Sequence, residues 1–180
     1  MRSIYVLILG TLLSTVSFAQ TGNATRRTSA NSLSAAVGAG HFLVAGSLDV
    51  EFTFFAFQQL DGSVWGAFHD KTNDGQGNVE FFATVTCLAV DPVDGRAWVG
   101  GKIDANLSTS PDFIGGVFEP GHDIWFRVLD NDSGDGQPNR STFMGFEGAI
   151  PSSAAYCALR PWAANNARTW PVTKGNIVVK

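Results

Sequence analysis

The stretch "VTCLAVDPVDGRAWVGG", residues 85–101, sets two valine-rich runs on either side of an Asp-Gly turn. Each run has the β-branched and aromatic content of a strand. A connection this short joins antiparallel neighbours, because a parallel crossover needs a dozen residues or more. The same reading extends outward. "LDGS" at 60–63 is a second Asp-Gly hairpin signal, joining "HFLVAGSLDVEFTFFAFQQ" to "SVWGAFHD". "NVEFFATVTCLAV", "RAWVGGKID", "DIWFRVLDN", "STFMGFEG" and the final "GNIVV" supply further strands separated by turn residues. The best helical stretch is a short turn near "SSAAY", and no run offers a capped apolar repeat of 3.6 residues. The fold class is all-β: an antiparallel meander that closes into a barrel, with a two-sheet β-sandwich as the alternative. A last strand at 175–179 is expected to pair near the first and cover an edge.

Alternation along the strands sorts the side chains into two faces. Val50, Phe52, Phe54 and Ala56 share one face with Val64 and Phe68, with Val79, Phe81, Ala83, Val85 and Cys87, with Ala97 and Val99, and with Ile124, Phe126 and Val128. This apolar set is the expected core, and it places Cys87 inward. For the first hairpin to keep its two strands in phase, its loop must hold an odd number of residues, such as three with Gly62 in the left-handed conformation. The opposite face mixes rings with polar groups: Glu51, Thr53, Phe55 and Phe57; Trp65 and His69; Glu80, Phe82, Thr84 and Thr86; Arg96, Trp98 and Lys102; Asp123, Trp125 and Arg127. Such a face can stack a sugar or another flat small molecule, or it can be a second packing layer. Trp65, Phe82, Trp98, Trp125 and Arg127 are the candidate ligand-binding residues.

The N-terminus bounds the compartment. Arg2, the apolar run "IYVLILGTLL" and the small residues of "STVSFAQ" form a signal peptide over residues 1–19, cut after Ala19. The run is short for a membrane span, and no cysteine stands at the cut to take a lipid. No transmembrane anchor is therefore expected, and the product is secreted or periplasmic. Residues 20–38, "QTGNATRRTSANSLSAAVG", are small and polar without a sustained period and read as a flexible leader; residues 39–180 form a single β domain. Cleavage removes one of the 12 basic residues and none of the 16 acidic ones, leaving a formal charge of −5. Nucleic acid is not an expected partner. An oxidising compartment also lets the two cysteines, Cys87 and Cys157, pair as a disulfide. A cysteine nucleophile with His41, His69 or His122 as its base has no supporting motif.

One loop could hold an ion. In "DNDSGDGQPN", residues 130–139, Asp130, Asp132 and Asp135 offer calcium-type oxygen ligands, although Gly134 stands where a third carboxylate is expected, and a solvated turn reads equally from the same residues. No other cofactor is implied. The chain has no G-x-S-x-G, H-E-x-x-H, C-x-x-C or phosphate-cradling glycine loop. His69-Asp70 and His122-Asp123 are adjacent pairs, which on a strand point to opposite faces. Glu51, Glu80, Glu119 and Glu147 are the carboxylates available for glycoside hydrolysis if the fold pairs them. The sequons at Asn23, Asn106, Asn131 and Asn139 matter only in a eukaryotic producer.

The ordered series "DGSVWGAF", "VTCLAV", "RAWVGGKI", "FRVLDNDSGDG", "YCALRP" and "KGNIVV" resembles a family of exported bacterial β-rich proteins and domains of unknown function, over about residues 40–180. In that family a G-x-V-x-C-L-x-V strand, an A-x-x-G-G strand, a V-x-D-N-x-x-G loop, a C-x-x-R-P segment and a final G-N-I/V-x-V strand follow in this order. Ala83 departs from it, standing where the pattern often has glycine, as does "DPVDGR", which is longer than the usual turn. The resemblance implies export, a β-rich domain and a Cys87–Cys157 bridge, and no activity. The expected function is an exported non-catalytic β domain binding a small molecule or glycan, with a structural or adhesive module of the cell surface or matrix as the alternative and a glycoside-type hydrolase third. Produced through an export pathway, the protein should begin at Gln20, which intact-mass spectrometry checks.

Overall fold

A computed structural model describes residues 32–131, 136–145 and 150–180. The expected signal peptide, residues 1–19, and the expected leader up to residue 31 lie outside the described residues. The strands are β1 (Ser32–Val44), β2 (Leu48–Gln59), β3 (Val64–Asn73), β4 (Asn78–Asp91), β5 (Arg96–Asn106), β6 (Asp123–Leu129), β7 (Arg140–Ser141) and β8 (Trp170–Val179), and one helix, α1 (Ser153–Leu159), lies between β7 and β8. Each strand pairs antiparallel with the next and β8 returns to β1, so the sheet is a closed eight-stranded barrel. An interior of this strand number is just wide enough for side chains to fill.

The hairpin chemistry follows the sequence. Gln59 and Ser63 flank a loop of Leu60, Asp61 and Gly62, closed by the Gln59 amide on the Ser63 carbonyl (2.9 Å), with Gly62 at φ +83. The odd loop keeps β2 and β3 in phase, Phe54 opposite Phe68. The inner face is then largely apolar, with Phe54 and Phe68 each packing edge-on against Phe126 at 5.0 and 5.2 Å. Helix α1 is the "SSAAY" turn made longer, N-capped by Ser152 on the Ala155 amide and ended by Arg160 in the left-handed conformation.

Two expectations are corrected. The leader was expected to run to residue 38, but β1 begins at Ser32. Its small residues are a packing requirement: a Cβ at Gly38 would lie 2.6 Å from the Phe54 ring, and Ala36 is fully buried. The first half of β1 contributes little bulk to the interior, so the Phe54 ring can occupy it, whereas Phe42 near its end is fully buried against Phe52. Cys87 was expected to point inward, but the register shifts between Val85 and Cys87, where Thr86 is an extra residue opposite the Gly101-Gly100 pair. This β-bulge turns Cys87 to the outside of the barrel while Leu88 resumes the core. There Cys87 bonds Cys157 of α1 (S–S 2.01 Å, Cα–Cα 6.2 Å). Gly100 makes room for the bridge, since a Cβ there would come within 2.7 Å of both the Cys87 sulfur and Ser153 Cβ.

Two inward groups of β3 are polar, Asp70 and Thr72, and the Thr72 hydroxyl donates to the Asp49 carbonyl at 2.6 Å. Asp70 stands on the inner face of β3 between Phe52 of β2 and Phe81 of β4 and is 3% exposed. Desolvation pushes its carboxyl up to about 8, against the opposing pull of the Met144 and Lys71 backbone N–H groups. The folded state therefore holds a proton that the unfolded chain releases near the usual carboxylate value of 3.8. Stability from this group is fully present below that value and is lost as pH rises through about 8, with a slope of up to about 1.4 kcal/mol per pH unit. Asp70→Asn should remove that slope, and urea unfolding at pH 5 and pH 8 measures it. Replacing Cys87 and Cys157 together with alanine should lower stability by about 2–5 kcal/mol in the same assay.

Candidate functional site

The outer face of the barrel carries the rings and polar groups expected of it, but a covering segment divides them. Residues 150–169 cross β4, β5 and β6 from outside. Tyr156 stacks on Trp125 (5.5 Å), Trp162 meets Trp98 edge-on (5.7 Å), and the Trp98 indole N–H donates to the Pro161 carbonyl (2.8 Å). Arg127 is 1% exposed, donates to the Ala167 carbonyl (3.2 Å) and lies 5.4 Å from the Trp162 ring, which Arg96 also covers at 4.8 Å. Trp98 and Trp125 are 3% and 4% exposed. Of the five expected ligand-binding residues, Trp98, Trp125 and Arg127 thus form a second packing layer. They lack the access that stacking on the outer face requires.

The other half of the face is open. Phe55 (39% exposed), Trp65 (49%) and Phe82 (37%) stand on β2, β3 and β4 with Phe57 and His69 between them. Trp65 stacks on Phe57 (4.7 Å, 22°) and meets Phe55 edge-on at 5.8 Å. The His69 ring lies flat on Phe82 at 4.1 Å, held there by a 3.0 Å contact from Nε2 to Glu80 Oε1. Between Phe55 and the His69–Phe82 stack runs a groove of about 260 Å³. Its floor is Ala67, small because β3 places it between Phe55 and Thr84 in register.

Polar groups border the groove. Thr53 and His69 line it beside Phe82, and Asp104 joins them from β5. A second bulge makes this carboxylate available: Phe82 pairs with Ala105 and Ala83 with Ile103, so Asp104 is the extra residue. Thr84 Oγ1 donates to Asp104 Oδ2 at 2.8 Å. Asp104 escaped the sequence reading because regular alternation gives a bulged residue no distinct mark.

The remaining candidates are dispersed. Of the proposed calcium ligands, Asp132 and Asp135 lie outside the described residues, while Asp130 Oδ2 accepts the Val179 amide at 2.9 Å and so fastens β8. Among the described residues no cluster of three metal-ligating side chains occurs. Asn139 is buried, its Nδ2 donating to Asn176 Oδ1 and the Ile177 carbonyl at 2.6 and 2.9 Å. His69 faces outward and Asp70 inward, as adjacency on a strand requires. Glu51 and Glu80 stand on either side of Lys71 across β3, and Glu147 lies outside the described residues. Asp123 accepts from the Ser153 backbone amide (3.1 Å) and from its hydroxyl, and Lys102 Nζ donates to it at 3.1 Å; Asp123 thereby anchors the start of α1 to the wall. These hydrogen bonds outweigh its partial desolvation and hold its carboxyl below the ordinary value.

Comparison with protein-family models, with curated proteins and with solved structures finds no match to this chain. Among the described residues no helix is long and apolar enough to cross a membrane, and the Cys87–Cys157 disulfide suits an oxidising compartment.

Proposed function

We propose that this protein is an exported, non-catalytic β-barrel domain, of the exported bacterial kind its motifs resemble, that binds carbohydrate through the open half of its outer face. The observation that carries the reading is a groove lined by the exposed Phe55 and Phe82 with Thr53, His69 and Asp104, beside which Trp65 stands exposed against Phe55. Sugar rings offer C–H faces that pack on aromatic rings and hydroxyls that need hydrogen-bond partners at the rim. Both requirements meet here, on a rigid wall. His69 is pre-positioned by its stack on Phe82 and its contact with Glu80, so little order has to be imposed on binding. The disulfide supports passage through an oxidising compartment.

The test is isothermal titration of the mature protein with cello-, xylo- and chito-oligosaccharides. At least one series should bind, Trp65→Ala and Phe82→Ala should each weaken it by about tenfold or more, and Val93→Ala, at an exposed residue on the 91–96 turn, should leave it unchanged. Binding by none of the three series, or binding indifferent to Trp65 and Phe82, would falsify the reading.

A further inference from the structure

Phe82 stands between two polar neighbours of different kinds. On the β3 side its ring is covered by His69, and on the β5 side it borders Asp104, the extra residue of the bulge opposite Phe82 and Ala83. Thr84 Oγ1 donates to Asp104 Oδ2 at 2.8 Å, which fixes the carboxylate at the groove. Asp104 is exposed, and among the described residues its Oδ1 has no hydrogen-bond partner and the carboxylate forms no ion pair. The two lysines at neighbouring register positions are engaged elsewhere. Lys102, opposite Thr84, turns its Nζ to the Gly121 carbonyl and Asp123 Oδ2, both at 3.1 Å. Lys71 lies in register between Glu51 and Glu80. The groove thus sets an unpaired carboxylate beside aromatic walls.

Such a combination attracts a cation twice, through the charge of the carboxylate and through the negative faces of the rings. At about 260 Å³ the groove falls just below the usual range of ligand pockets, which suits one sugar ring of a chain. A sugar meets both conditions when one of its hydroxyls is replaced by a free amine, which is protonated below the ordinary amino range. The ammonium can then donate to Asp104 Oδ1 while the C–H face of the same ring lies on Phe55 or Phe82. We infer that the groove selects sugars bearing a free ammonium, glucosamine units among them, over neutral and N-acetylated ones, and that Asp104 sets the selection. This inference rests on the glycan reading of the outer face and names the class of sugar that the face prefers.

The test is titration calorimetry of the mature, oxidised protein at about pH 6, where an amino group is protonated. Two tetramers of the same linkage are compared, β-1,4-linked glucosamine and β-1,4-linked N-acetylglucosamine. Both should bind, the free amine at least about fivefold more tightly, the margin of one ion pair at the rim together with one ring-face contact. Asp104→Asn keeps an acceptor for the Thr84 hydroxyl and removes the charge. It should weaken the glucosamine tetramer alone and bring the two affinities to within about twofold of each other. Asp112→Asn, an equal loss of charge at an exposed carboxylate outside the groove whose partner is Gln76, should preserve the margin. That control separates the groove from a general attraction of cations to an acidic protein. Equal binding of the two tetramers, with both weakened by Trp65→Ala, overturns the selection and leaves the glycan reading standing. A preference that survives Asp104→Asn, or one lost equally with Asp112→Asn, also overturns it. Binding of neither tetramer overturns it as well, and the glycan reading is then decided by the cello- and xylo-oligosaccharides.

Discussion

The seam between β8 and β1 is the constraint on which the rest of the structure depends. From Ala36 opposite Val179 to Phe42 opposite Val172 the last strand closes on the first, and reciprocal bonds between Ala35 and Lys180 at 2.7 and 2.8 Å end the ladder. Closure removes both sheet edges and defines an inside of fixed width. It also explains the division of volume within: Gly38 of β1 faces a space already occupied by Phe54 and Ile177, which a side chain there would meet at 2.6 and 3.0 Å. Asp130 and Asn139 serve the same seam, holding β8 from the side of the loop between β6 and β7.

A filled interior leaves the outer wall as the barrel's accessible surface. The wall is not uniform, because α1 and the segment after it pack on one half and leave the other bare. Covering depends on the bulge at Thr86, which turns Cys87 outward to meet Cys157, and on Gly100, whose missing side chain lets helix and sulfur approach the strand. The bulge at Asp104 acts in the opposite sense, adding a carboxylate to the bare half beside Phe82. Two register shifts on the same pair of strands thus support a covered layer at one end and a polar-rimmed aromatic groove at the other.

Much of this was legible in order. Period-2 alternation in β2, β4, β5 and β6 marked most of the core, with Cys87 wrongly included and Leu88 and Ile103 left out, and "LDGS" with Gly62 announced the three-residue loop that keeps the first hairpin in phase. Strand β1 was harder to see, since "SLSAAVG" carries neither bulk nor alternation and its smallness gains meaning only against Phe54 and Ile177. The candidate face was legible as a list of residues and not as a surface. Trp98 and Trp125 have the same alternation phase as Trp65, yet they are buried beneath residues some 30 or more positions later in the chain.

The sequence by itself determined what local rules govern: strand content, antiparallel hairpins, inward and outward phase, and a pair of cysteines suited to an oxidising compartment. Tertiary structure alone decided which outward rings stay in contact with water and where the two bulges fall. The physical reason is range. Alternation and turn chemistry act between neighbours in the chain, whereas coverage and bulging arise when distant segments compete for the same surface of a closed barrel.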